Sequence, residues 1–109
     1  MDWVVITLHG EIDLSRVEEI DLIFQSRRPR PGVGLIVDLS PVTFMDSSGI
    51  GLLMRAERDL FKDGSGLRLV APRGPAHRVI ELAGLADRWP LFHTLDMALE
   101  ASDGELRSA

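Results

Sequence analysis

The stretch from Val33 to Lys62 constrains the fold of this chain more than any other. It begins with a compact apolar run, Leu35-Ile36-Val37, which reads as a buried strand. A loop from Asp38 to Asp46 follows, turned by Ser40-Pro41. Asp46-Ser47-Ser48-Gly49 then opens an amphipathic helix. Ile50, Leu53, Met54, Leu60 and Phe61 recur at helical spacing as its apolar side, while Arg55, Glu57, Arg58 and Lys62 take mostly other directions. The unit therefore delivers two adjacent serines to a helix start, where backbone N–H groups lack intrahelical partners.

The flanks continue the alternation. Trp3 to Leu8, rich in β-branched residues, is the first predicted strand, and His9-Gly10 ends it. Ser15-Arg16-Val17-Glu18 reads as a capping box with Ser15 at the N-cap. The helix behind it buries Val17, Ile20, Ile23 and Phe24 and fails near Ser26, because Arg28-Pro29 and Arg30-Pro31-Gly32 cannot continue it. Asp63-Gly64-Ser65-Gly66 stops the serine-bearing helix, and Leu67 to Ala71 is a third strand. Pro75 suits the first turn of a helix carried by Val79, Ile80, Leu82 and Ala83 and closed by Gly84. Leu91-Phe92-His93 is a short fourth strand. Thr94 caps a last helix from about Leu95 to Ala101, and Ser102 to Ala109 reads as a frayed tail. Strand and helix thus alternate throughout. The expectation is one α/β domain over residues 1–109, with about four strands in a mostly parallel or mixed sheet and about four helices.

Composition narrows the function classes. A net charge of −5 argues against nucleic acid or an anionic membrane as partner, since both demand a basic face. The local cluster Arg27-Arg28-Pro29-Arg30 reads as a solvated loop. With no cysteine there is no disulfide framework and no thiolate chemistry. The N-terminus lacks the basic start and long apolar core of a signal peptide, and no run reaches the length of a membrane span, so the expected location is cytoplasmic.

Catalytic signatures are missing as well. Neither serine sits in a Gly-x-Ser-x-Gly elbow or begins Ser-x-x-Lys. His9, His77 and His93 are scattered without metal-ligand spacing, and no phosphate-cradling glycine loop occurs. Asp13, Asp38 and Asp46 could imitate an acidic phosphoacceptor pocket, but the paired acidic residues and late lysine of a response-regulator receiver are absent. No enzyme activity, cofactor or metal is expected. On local sequence alone, a serine at a helix start is ordinarily a cap worth about 1 kcal/mol, and Asp13 and Asp46 are ordinarily turn formers. Both aspartates follow short loops after strands, which places them to share one rim of the sheet. Asp38 reads as a loop-start residue.

Phe44-Met45-Asp46-Ser47-Ser48-Gly49-Ile50-Gly51, preceded by Ile36-Val37-Asp38-Leu39, resembles the core motif of the STAS domain family, and within it the bacterial anti-sigma-factor antagonists. Gly10-Glu11-Ile12-Asp13 and the segment from Pro75 to Leu85, ending Leu82-Ala83-Gly84-Leu85, extend the resemblance over nearly the whole chain. It implies a STAS-like fold and a switchable binding protein. Ser48 would be the phosphoacceptor, with Ser47 as the alternative, and Asp13, Asp46, Ser47, Gly49 and Ile50 would meet the partner. That partner would be an anti-sigma factor that is also an ATP-dependent serine kinase, opposed by a metal-dependent serine phosphatase. The alternative within the family is a non-switching adaptor subunit of a lipid-transport or signalling assembly. Family members usually carry a further strand ahead of the first one here, where only Met1 and Asp2 precede it. An exposed sheet edge and weak homo-association are therefore also expected.

Overall fold

A computed structural model describes residues 2–102. In chain order its elements are β1 (Trp3–Thr7), β2 (Gly10–Ile12), a 3-10 turn (Leu14–Arg16), α1 (Val17–Ser26), β3 (Gly34–Asp38), β4 (Val42–Met45), α2 (Ser47–Lys62), β5 (Leu67–Val70), α3 (Pro75–Leu82), β6 (Leu91–Phe92) and α4 (Leu95–Glu100). The expected tail from residue 103 onward lies outside the described residues.

The run Leu35-Ile36-Val37 is the centre of β3 and is completely buried. Its burial on both faces explains the absence of polar alternation. β3 pairs in parallel with β1 on one side and β5 on the other, and β6 extends the sheet beyond β5, giving the order β1-β3-β5-β6. Parallel neighbours require crossovers, which α1, α2 and α3 supply. Side chains alternate between two layers. Val4, Ile6, Leu35, Val37 and Leu69 join the main core with α1, α2 and α3, whereas Trp3, Val5, Ile36, Val70 and Phe92 face α4 through Leu95 and Ala98. On that second face Arg68 is buried, its guanidinium 4.2 Å from the Trp3 ring centroid and donating to the Ala98 carbonyl at 2.5 Å. The arrangement fastens the C-terminal end of α4 to the sheet.

Three expectations about the elements are corrected. The Asp38–Asp46 segment is not all loop. Val42–Met45 forms β4, which pairs in parallel with β2, a segment read only as a strand end followed by a turn. Gly10 pairs with Val42 but Glu11 with Phe44, so Thr43 is an extra residue in the ladder. Ser15 is not an N-cap. Asp13 caps the 3-10 turn instead, accepting from the Ser15 N–H, and α1 starts only at Val17. The buried side of α2 is Gly49, Leu52, Leu53, Ala56 and Leu60, with Ile50 half-buried against it. Met54 and Phe61, expected inside, are 41% and 81% exposed.

Elsewhere the expected punctuation holds. Gly64 and Gly84 adopt positive φ after α2 and α3, and the Thr94 hydroxyl caps α4 by accepting from the Met97 N–H at 3.1 Å. Within the basic cluster, Arg28 is not simply solvated. Its guanidinium bonds Asp63 at 2.9 Å and the Asp59 carbonyl at 3.2 Å, tying the end of α1 to the end of α2.

Candidate functional site

β2 and β4 end in register, Ile12 opposite Met45, so the next residues on both strands, Asp13 and Asp46, leave the ladder side by side. The Asp46 N–H still donates to the Ile12 carbonyl at 3.3 Å. The shared rim expected for the two aspartates is therefore present, built by the short ladder rather than by the main sheet. Asp46 has extended backbone and is the N-cap of α2; its carboxylate accepts from the Ser48 N–H at 2.9 Å. Ser47 and Ser48 are the first two residues of the helix, Ser47 exposed and Ser48 half-buried.

The capping role considered for the serines belongs to Asp46. In three of the four Asp-x-Ser segments, at Asp13, Asp38 and Asp46, the carboxylate accepts from the backbone N–H of its serine; at Asp63 the Ser65 N–H donates instead to the Leu60 carbonyl. In two of those three the hydroxyl is also engaged: Ser15 donates to Asp13 at 2.5 Å and Ser40 to Asp38 at 2.6 Å. In the third, no described residue holds the Ser48 hydroxyl. Ser48 thus sits at a capped, positively polarised helix end with its oxygen uncommitted. Among the described residues no base is hydrogen-bonded to either serine oxygen.

Gly49 sets the closeness of the helix to the ladder. A Cβ there would lie 2.5 Å from Met45 Cγ and 3.3 Å from Ile12 Cγ2. Expected at the partner surface, it is buried beneath the serines, and Ile50 is half-buried next to it.

Two features of the rim were not read from the sequence. Arg16 donates to the carbonyls of His9 and Glu11 at 2.7 and 2.6 Å and pairs with Glu19 at 3.2 Å, bracing the turn that carries Asp13. Its hydrogen bond to Glu19 raises the Arg16 pKa, with smaller electrostatic help from Glu19 and Asp13, and the same bond lowers the pKa of Glu19. The Arg16/Glu19 spacing of three was the available signal. Large apolar side chains also flank the site: Leu14 is 77% exposed directly after Asp13, Phe44 is exposed two residues before Asp46, and Met54 follows Ile50 by one turn.

The sequence profile of the STAS domain family matches residues 2–98. An anti-sigma F factor antagonist of Lysinibacillus sphaericus is 31% identical over 104 residues, 94% of this chain and 88% of that one. Among solved structures, an anti-sigma factor antagonist from Mycobacterium paratuberculosis superposes with a TM-score of 0.78 at 31% identity, covering 96% of this chain and 86% of that one. The anti-sigma factor antagonist SpoIIAA in its unphosphorylated form gives a TM-score of 0.75 at 28% identity, covering 99% and 90%.

Proposed function

This chain belongs to the STAS domain family, and from that footing we propose that it is an anti-sigma-factor antagonist switched by phosphorylation of Ser48. Its unphosphorylated form binds an anti-sigma factor through the rim of Asp13, Asp46, Ser47 and Ile50 and so releases a sigma factor. The anti-sigma factor, acting as an ATP-dependent serine kinase, phosphorylates Ser48 and ends the complex. A serine phosphatase restores it. The chain is the kinase's substrate and not a catalyst.

The names of the relatives support the antagonist reading. The observation that carries the switch is the uncommitted Ser48 hydroxyl at an N-terminus already capped by Asp46. Phosphorylation there sacrifices no hydrogen bond. It adds about −1.5 to −2 charges where first-turn N–H groups and the helix dipole offset them. The rim, by contrast, gains bulk and charge next to Asp46, which a closely docked partner must desolvate or be pushed away by.

The test is to incubate the protein with a candidate anti-sigma-factor kinase of the same organism and ATP, then measure intact mass. One added phosphate in wild type and none in Ser48→Ala is the expected result. Equal incorporation into both proteins assigns the acceptor to Ser47 instead. Stable binding without any incorporation fits a non-switching adaptor.

A further inference from the structure

A second surface lies at the far end of α2. Phe61 is 81% exposed there, an unusual position for a large aromatic side chain. It lines an open groove of about 560 Å³ with Glu57, Arg58, Lys62, Ser65, Gly66, Leu67 and Arg88, within the usual range of about 300–1,000 Å³ for ligand-binding clefts. Most of the polar groups are already used. The Glu57 carboxylate accepts from Arg88 at 2.5 Å and from the Trp89 ring nitrogen at 2.7 Å, and the Ser65 hydroxyl accepts from the Gly32 N–H at 3.2 Å. Arg58 and Lys62 differ: among the described residues neither makes an ion pair or side-chain hydrogen bond.

The groove is thus an apolar slot, Phe61 and Leu67, edged by two uncommitted cations on a protein of net charge −5. A solvated helix end accounts for Lys62, since a cation in the last turn complements the dipole. It does not account for Phe61, or for Arg58 one turn earlier. Met54, Arg58, Phe61 and Lys62 fall at i, i+4, i+7 and i+8, so they form one continuous exposed stripe along α2.

We propose that this groove is a second docking site, for an acidic segment of a partner protein carrying an apolar anchor. The anchor packs against Phe61 and Leu67 while flanking carboxylates pair with Arg58 and Lys62. Along the helix Arg58 lies ten positions and Phe61 thirteen positions beyond Ser48, about 15 and 20 Å along the axis. A phosphate on Ser48 is nearly two Debye lengths from the nearer cation at physiological salt and changes this contact little. The site therefore holds its partner in both states of the serine.

The test uses a fluorescein-labelled peptide, Asp-Glu-Leu-Phe-Glu-Asp-Leu, in anisotropy titrations with the full chain. Saturable binding with a Kd below roughly 1 mM, weakening as salt rises, is expected. Arg58→Glu/Lys62→Glu and Phe61→Ser should each weaken it at least about fivefold. All three positions are exposed, and circular dichroism verifies the fold. Ser48→Asp should bind as wild type does. Absence of saturable binding, or equal binding by the groove variants, overturns the proposal. So does equal binding of a peptide with serine replacing leucine and phenylalanine, which would reduce the effect to counter-ion attraction. Sedimentation velocity supplies the remaining outcome: a dimer that Phe61→Ser dissolves would make the occupant a second copy and overturn the partner reading.

Discussion

Among the three turns in which an aspartate accepts from the N–H of the serine two residues on, only that of Asp46 leaves the serine hydroxyl uncommitted to its aspartate. That single difference is the one on which the proposed assignment of Ser48 as phosphoacceptor rests. It was not legible in the sequence, where all three share the Asp-x-Ser pattern; only Ser48 of the three serines lies inside an α-helix. Gly49 was legible as part of a motif but not for its physical role. A methyl group at this position meets Met45, so Gly49→Ala should cost about 1–3 kcal/mol by overpacking, offset by up to about 1 kcal/mol of helix propensity. A net loss of about 1 kcal/mol or more in urea unfolding is expected. Unchanged stability would show that Met45 moves aside freely. The lowered pKa of Glu19 has a defined sign: its contribution to stability is complete above the ordinary carboxylate range and fades as pH falls through the folded value.

The elements were mostly legible because their signals are local. Pro75, Thr94 and the glycines after α2 and α3 bound helices where they were expected to. The two strands that were missed, β2 and β4, are three and four residues long, too short to show a period, and they exist because they pair with each other. The inward face of α2 was only partly legible. Leu52 and Leu53 are adjacent apolar residues, as are Leu60 and Phe61, so spacing alone does not choose between neighbouring stripes. Tertiary contact decides, through Glu57. Its carboxylate accepts from the indole of Trp89, which is 2% exposed, and so fixes the rotation of the helix against the segment before β6. Glu57→Ala should cost about 1–3 kcal/mol by leaving that buried N–H without an acceptor. Glu57→Gln keeps an acceptor and should cost less. Equal losses in urea unfolding would instead assign the effect to the exposed pair with Arg88.

At the scale of the molecule, α2 spans two dissimilar ends. One carries Asp13, Asp46 and the serines; the other carries Arg58, Phe61 and Lys62. The parallel sheet behind it follows directly from alternation of strand and helix, and for that reason it was legible, whereas the juxtaposition of Asp13 with Asp46 needed the fold. The proposed switch would sit at a helix end, where a phosphate meets opposing effects of similar size: the dipole, worth about 0.3–1 kcal/mol, and repulsion from Asp46. Folding stability should therefore change by no more than about 1 kcal/mol, while affinity for the partner changes far more. The decisive measurement is calorimetric titration of the anti-sigma factor with the unphosphorylated and the Ser48-phosphorylated protein, alongside thermal unfolding of both. At least about tenfold weaker binding of the phosphorylated form, or 1.4 kcal/mol, with nearly unchanged unfolding is expected. Equal affinities, or a large fall in melting temperature that made the switch a local unfolding of α2, would contradict it.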